Sequence, residues 1–376
     1  MKRAQYSLIL KDLNKKMVFI VGPRQVGKTW ISLEIAKGIK NHIYLNYDEI
    51  EDRKIIESKS WLPDVELIIF DELHKMPKWK NYIKGVYDTK ELGTKIIVTG
   101  SARLDTFRKA GDALSGRFFA HRLYPLTVSE LENPSENDFN RLLVRGGFPE
   151  PFLAESIDEA NRWRRQYIDG LIRSDILDFE KIHDFRAIQL VFKLLQKKVG
   201  SPVSYQSIAE DVNISSTTVK KYIEIFEALF IIFRVTPFSK NIARSILKEP
   251  KIYFFDTGLV IGDEGAVFEN QMALELLKNQ HAICDYKGID AELYYLRSKD
   301  KKELDFCLVQ NNEIELAIEI KLSENKISSD LKYFTDRYPF KGIQLVKNLR
   351  NEYKSGNIEV RKAFDWLLSQ KKTFLR

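Results

Sequence analysis

Gly22-Pro23-Arg24-Gln25-Val26-Gly27-Lys28-Thr29 has the spacing G-x-x-x-x-G-K-[ST] and directly follows the apolar run Val18-Phe19-Ile20-Val21. A glycine loop that leaves a buried strand and opens a helix near Lys28 is a phosphate cradle. Its backbone N–H groups and the positive end of the helix converge where few side chains could approach so closely. In such a loop Lys28 reaches the β- and γ-phosphates and Thr29 holds Mg²⁺. A second run, Leu67-Ile68-Ile69-Phe70, ends in Asp71-Glu72. A central parallel strand whose carboxyl end carries two acids opens on the nucleotide site. Asp71 is the candidate for the magnesium shell. Glu72 is the candidate for orienting or deprotonating the attacking water, because phosphoryl transfer leaves the protein mainly positioning and electrostatic work. A third run, Lys95-Ile96-Ile97-Val98-Thr99-Gly100-Ser101, ends at hydroxyls within reach of the γ-phosphate or the water, with Ser101 or Thr99 as sensor. No guanine-reading motif accompanies the loop, so the ligand expected is ATP.

These residues need a sheet behind them. Further apolar runs at 42–45 and 118–121 bring the strands to about five, separated by helical stretches, which predicts an α/β fold with a parallel sheet of the P-loop NTPase kind. At 376 residues the chain exceeds one ordinary core, and its 44% apolar and 12% aromatic residues can fill more than one. Mean hydropathy is −0.30, and no stretch approaches the length of a membrane helix. Lys11 and Asp12 interrupt the short N-terminal apolar stretch before a signal-peptide core could form. The expectation is a cytoplasmic chain with no membrane partner. Cys284 and Cys307 are the only cysteines, too few for a disulfide scaffold or a zinc cluster, and both are read as buried reduced thiols.

A wider set of segments carries a resemblance. The 22–29 loop, Asp71-Glu72-Leu73-His74 with Trp79 after it, Thr99-Gly100-Ser101, Ser115-Gly116-Arg117-Phe118, Tyr124-Pro125-Leu126, Gly146-Gly147-Phe148-Pro149-Glu150 and Lys251-Ile252-Tyr253-Phe254-Phe255-Asp256-Thr257-Gly258-Leu259 follow one another in order. The chain resembles the AAA-type ATPases of bacteria and archaea that carry a C-terminal nuclease-like domain. That resemblance implies a Mg²⁺-dependent ATPase with a catalytic glutamate, and it places Arg117 where an arginine finger is presented to a neighbouring subunit of a homo-oligomer. Such an arginine stabilises charge on the transferred phosphoryl group. The alternative is an arginine paired with a nearby acid, and Arg103, Arg108 and Arg122 are competitors for the finger role.

The expected domains are an ATPase at 1–145, a helical connector at 146–185, a winged-helix-like module at 186–250 and a small α/β nuclease-like domain at 251–376. Net charge is +7, and from Arg186 to Pro250 ten Lys/Arg face five Asp/Glu, so the middle module holds most of the excess. Ser204 caps a short predicted helix, Asn213 turns the chain, and Ser215-Ser216-Thr217-Thr218 opens a longer one. The pair reads as a helix-turn-helix, with the apolar run at 229–235 as part of a wing. Ser216, Thr217, Lys220 and Lys221 would then meet DNA phosphates or base edges. A winged helix used as a spacer or protein contact fits the same letters.

In the last domain a helix at 267–277 bears Glu269, and strands follow at 292–297, 303–309 and 314–321. Strand alternation sets Glu319 and Lys321 side by side and lets Asp305 join them. This is the D…E-x-K arrangement of Mg²⁺-dependent PD-(D/E)xK nucleases. In it Asp305 and Glu319 bind one or two Mg²⁺ or Mn²⁺ ions, Lys321 positions the water, and Glu269 adds a carboxylate. A solvated sheet face gives the same letters. Three functions compete: an ATPase coupling turnover to DNA binding or processing, a metal-dependent endonuclease regulated by that ATPase, and a nucleotide-switched protein-interaction module.

Overall fold

The computed structural model describes residues 3–100, 114–172, 184–239, 248–324 and 326–375. The chain divides into two compact units, Met1–Tyr124 with Ala228–Phe230, and Pro125–Glu227 with Ile231–Arg376.

The first unit alternates helices and strands: α1 (Tyr6–Leu13), β1 (Met17–Val21), α2 (Lys28–Ala36), β2 (His42–Asn46), α3 (Ile50–Ser58), β3 (Leu67–Asp71), α4 (Trp79–Thr89), β4 (Lys95–Gly100) and β5 (Phe118–Arg122). The strands form one sheet in the order β2-β3-β4-β1-β5, and every pairing is parallel. The sequence dictates this. β1 and β3 are buried at every position, as parallel strands must be when helices cover both faces of a sheet. One face gathers Phe19, Val21, Ile68, Phe70, Ile96 and Val98 with Ile83 and Val86 of α4. Phe19 stacks on Phe118 at 4.6 Å between ring centroids. The α/β class and the parallel sheet expected from the apolar runs are therefore present, and Cys307 is buried as expected. Cys284 is only half-buried, its thiol donating to Ala291 O at 3.1 Å.

The second unit begins with α5 (Glu136–Arg145), α6 (Pro149–Leu153) and α7 (Ile157–Gly170). α5 starts at a capping box, in which Ser135 and Asp138 satisfy each other's backbone N–H groups. Next come α8 (Phe185–Gln196), α9 (Tyr205–Val212) and α10 (Ser216–Ala228), then β6 (Ile232–Val235) and β7 (Lys251–Phe254), which pair antiparallel. Ser204 Oγ caps α9 by accepting from Ser207 N, and Asn213 turns the chain at φ 59°. α11 (Glu264–Lys287) precedes a mixed six-stranded sheet of β8 (Ala291–Arg297), β9 (Glu303–Gln310), β10 (Glu313–Lys321), β11 (Lys341–Val346), β12 (Tyr353–Ser355) and β13 (Ile358–Lys362). Its order is β12-β13-β11-β10-β9-β8. α12 (Ser329–Arg337) sits between β10 and β11 in sequence, and α13 (Ala363–Leu375) ends the chain.

α11 is longer than its apolar spacing suggests, because it is buried along much of its length rather than along one stripe. Its polar side chains are paired inside. Asn270 Oδ1 accepts Phe254 N at 2.7 Å, and its amide donates to Phe254 O at 3.0 Å. Thr257 Oγ1 donates to Gln271 at 2.8 Å, Gln271 to Glu275 at 3.2 Å, and Val128 N to Glu275 at 2.7 Å. Lys278 pairs with Glu130 and donates to Pro125 O at 3.1 Å. Buried groups left without such partners would cost about 1–3 kcal/mol each.

Candidate functional site

The 22–29 loop runs from the end of β1 into α2, with Gly27 at φ 97° as the residue before the first helical turn. Pro23, Val26 and Lys28 are buried and Gln25 is exposed, at φ 57°. Nothing lies within 4 Å of the space a Cβ on Gly27 would take. Lys28 Nζ donates to Gly22 O at 3.0 Å and to Pro23 O at 2.6 Å. Those are loop carbonyls, so the ammonium waits on weak neutral partners.

Asp71, at the carboxyl end of β3, accepts from four sides. Thr29 Oγ1 donates to Oδ2 at 2.8 Å, and the Tyr44 hydroxyl donates to the same oxygen at 2.7 Å. Glu72 N donates to Oδ1 at 3.0 Å, and Thr99 Oγ1 donates there too. Loop, β2, β3 and β4 thus meet at one carboxylate. Tyr44 was not singled out by sequence; its ring on β2 gives no motif, and only the β2–β3 register, with Asn46 beside Asp71, brings it near. Burial, then the Asp71 carboxylate, pushes its hydroxyl up, so it stays a donor.

Glu72 has a left-handed backbone at φ 54°, ψ 21°, a conformation that costs a non-glycine residue about 1–3 kcal/mol and clusters at functional sites. The turn is held by Glu72 N, which also donates to Thr99 O at 3.1 Å. Its Oε2 is buried without a hydrogen bond, 3.5 Å from His74 Nε2 and 3.6 Å from Lys75 Nζ. Burial raises its carboxyl above the usual range, against the pull of Lys75. A carboxylate with an orphaned buried oxygen, a hydroxyl and a second acid fit a nucleotide with Mg²⁺: the donors are hard oxygens.

Burial pushes Lys28 down from 10.5 to about 8, against the pull of Glu72 and Asp71. Phosphate needs the charged amine, so ATP affinity should fall about tenfold per pH unit above about pH 8. The sign for the empty protein is opposite. An unfolded lysine keeps its proton up to about pH 10.4, so the unfolded state binds more protons in that window and stability rises with pH. Titration with a fluorescent ATP analogue between about pH 7 and about pH 9.5 tests this; unchanged affinity would show that Lys28 is not discharged.

Arg117 lies just before β5, at the amino end of the sheet, and Met17 N donates to its carbonyl at 3.2 Å. The loop leaves the opposite end of neighbouring β1, about 16 Å away by strand rise. In its own chain the guanidinium pairs with Asp88, at 2.8 Å and 3.1 Å. Ser101, Arg103 and Arg108 lie outside the described residues.

In the second unit the structure brings Glu269, Asp305, Glu319 and Lys321 together. Lys321 Nζ lies 2.8 Å from Glu319 Oε1. Asp305 Oδ2 accepts Ile320 N at 2.8 Å. Lys251, noted in the sequence only as the start of the 251–259 segment, enters the group: its Nζ is 3.0 Å from Glu303, 3.4 Å from Asp305 and 3.6 Å from Glu269. Tyr253 donates to Glu269 at 2.7 Å. Burial, then the Asp305 charge, pushes Glu269 and Glu319 each up to about 7. Among the described residues no group of three or more His, Cys, Asp or Glu is arranged to hold a metal. The acids converge on an ammonium, and so arranged they do not fit a divalent ion.

On α10, Thr217, Lys220 and Lys221 are exposed and Ser216 is half-buried. Lys220 stands 4.0 Å from Glu224. No helix among the described residues is long and apolar enough to cross a membrane.

Three family models match successive parts of the chain. Residues 136–262 and 264–363 each match a domain of unknown function, DUF8612 and DUF4143 respectively. Uncharacterised proteins of Mycobacterium bovis and Mycobacterium tuberculosis are each 25% identical over 300 residues, covering 77% of this chain and 66% of theirs. The matched region is thus just under two thirds of those relatives' length. Among solved structures the chain is similar to the Walker-type ATPase of Pyrococcus abyssi, at 15% identity over 70% of this chain and 94% of that one, with a TM-score of 0.45. Residues 14–132 match the AAA domain. This segment, which holds the whole arrangement of Lys28, Thr29, Asp71 and Glu72, is similar to AAA-type P-loop ATPase domains.

Proposed function

We propose that the protein binds ATP with Mg²⁺, hydrolyses it, and couples that turnover to DNA through the basic helical module. The observation that carries the hydrolytic part is the convergence of Thr29, Tyr44, Thr99 and Glu72 N on Asp71 beside the Lys28 loop. Thr29 and Asp71 would hold Mg²⁺, which when bound neutralises charge on the phosphate oxygens. The N–H groups of 22–29 and the Lys28 amine would bind and orient the phosphates. Glu72 would take the proton of the attacking water at Oε2 or its partner oxygen. Ser101 keeps the sensor role proposed from its place after β4. Arg117, at the far end of β5 from its own loop, would serve a neighbouring copy's nucleotide, which makes a homo-oligomer part of the proposal.

The proposed domains remain 1–145, 146–185, 186–250 and 251–376. A winged-helix reading of the third is supported by three helices followed by an antiparallel pair, although the pair runs past residue 250 into β7. A nuclease-like fold for the last is supported by Asp305, Glu319 and Lys321 meeting on β9 and β10. The DNA part is tested by fluorescence anisotropy on duplex DNA across salt concentrations, with and without ATP. Lys220→Ala/Lys221→Ala should lower the salt slope by about 2. An unchanged slope, or binding indifferent to ATP, would favour the protein-interaction reading instead.

A further inference from the structure

The acidic cluster of the second unit is not used by ATP hydrolysis, and its charges do not match a metal centre. Lys251 is 1% exposed. It is the first residue of β7, so its Cα is fixed by pairing with Val235 on β6. Its side chain reaches Glu303 of β9 at 3.0 Å, Asp305 of β9 at 3.4 Å and Glu269 of α11 at 3.6 Å. The ammonium also faces the Tyr295 ring at 5.5 Å from its centroid, a contact that favours a cation over a neutral group. Three half-buried carboxylates from two elements repel one another unless a positive charge stands between them. Burial opposes the charged amine, but Asp305, Glu269 and Glu303 together hold it protonated, well above the ordinary lysine range.

We infer that the Lys251 ammonium is the resident cation of the Glu269/Glu303/Asp305 cluster, standing where a divalent metal ion would otherwise sit. It ties β7 to β9 and α11, and it competes with Mg²⁺ or Mn²⁺ for the same oxygens. The neighbouring Glu319–Lys321 pair shows the same habit of neutralising acid by lysine within the chain. Lys321 takes Glu319 Oε1, and Oε2 stays buried without a hydrogen bond.

The test is Mn²⁺ binding to the full, nucleotide-free chain, followed by the electron paramagnetic resonance of free Mn²⁺. Wild type and Asp305→Asn should bind the same amount, because no metal site depends on Asp305 while Lys251 is present. Loss of a wild-type Mn²⁺ site in Asp305→Asn overturns the inference. Lys251→Met should gain one site, with Mn²⁺ affinity raised at least about tenfold, and adding Asp305→Asn should abolish it. A folded Lys251→Met, checked by circular dichroism, that gains no Mn²⁺ also overturns it. Should that variant not fold, the comparison of wild type with Asp305→Asn decides alone.

Discussion

Glu72→Gln is expected to bind ATP as the natural chain does and to hydrolyse it about 10²- to 10⁴-fold more slowly, the range of a positioned general base. Lys28→Ala should instead lose binding. The two variants separate because the residues stand at different points of the site. Lys28 is buried with its amine on two loop carbonyls. Glu72 is turned out of the strand line by its left-handed backbone, with Oε2 unbonded. Its raised carboxyl makes it a stronger base than a solvated glutamate, the property a water-activating group needs. Glutamine keeps the size, the turn and the Glu72 N bonds to Asp71 and Thr99, so the loss would belong to the charge. Steady-state turnover and nucleotide binding, measured on both variants, distinguish the roles. Turnover in Glu72→Gln within about threefold of wild type would remove the base assignment.

The first unit was legible because parallel strands covered on both faces leave unbroken apolar runs, and the loop and acids sit at the ends of those runs. Position along the chain places Lys28, Thr29, Asp71 and Glu72 at the carboxyl ends of the interior strands β1 and β3. Tyr44 and Lys251 were not legible for a common reason. Each acts through partners brought near by register or by tertiary packing: Tyr44 meets Asp71 27 positions away, and Lys251 meets Asp305 54 positions away. A lysine opening a strand reads as solvent-facing, and nothing local tells it from one buried among acids. The full reach of α11 was hidden by the opposite problem. Interior burial on several sides, with Asn270, Gln271 and Glu275 bonded inside, erases the apolar stripe on which helix reading depends. The closing strand β12 is exposed at all three positions, so no alternation marks it.

Asp256→Ala should destabilise the second unit by about 3–5 kcal/mol, the cost of leaving a buried charge without its partner. The two glycine-bearing segments noted in the sequence, Gly146-Gly147-Phe148 and Asp256-Thr257-Gly258, meet around Arg164. Arg164 Nε donates to Asp256 Oδ2 at 2.7 Å, and the side chains are 8% and 1% exposed. The other guanidinium nitrogens donate to Asn161 Oδ1 at 2.7 Å and Arg145 O at 2.9 Å. Asp256 Oδ1 accepts Gly258 N at 3.1 Å. Each partner is thus committed on several sides, and the glycines leave room for it. A Cβ on Gly258 would fall 1.9 Å from the Arg164 guanidinium, and one on Gly146, whose φ is already 76°, would fall 2.0 Å from Asp256 Oδ1. Gly258→Ala should therefore displace the arginine and carry a loss comparable with Asp256→Ala, while Asp256→Asn, which keeps an acceptor for Gly258 N, should cost less than either. The ordering matters more than the absolute values, because a chain of two units need not unfold in one step. Urea unfolding followed by hydrogen exchange on α7 and on the 256–258 turn would assign the transition. If Asp256→Ala and Asp256→Asn cost the same, the charge is not what the pair contributes, and the segments are held by packing of Phe148 against Trp163 and Tyr167, whose ring centroids lie 5.3 Å and 5.1 Å away.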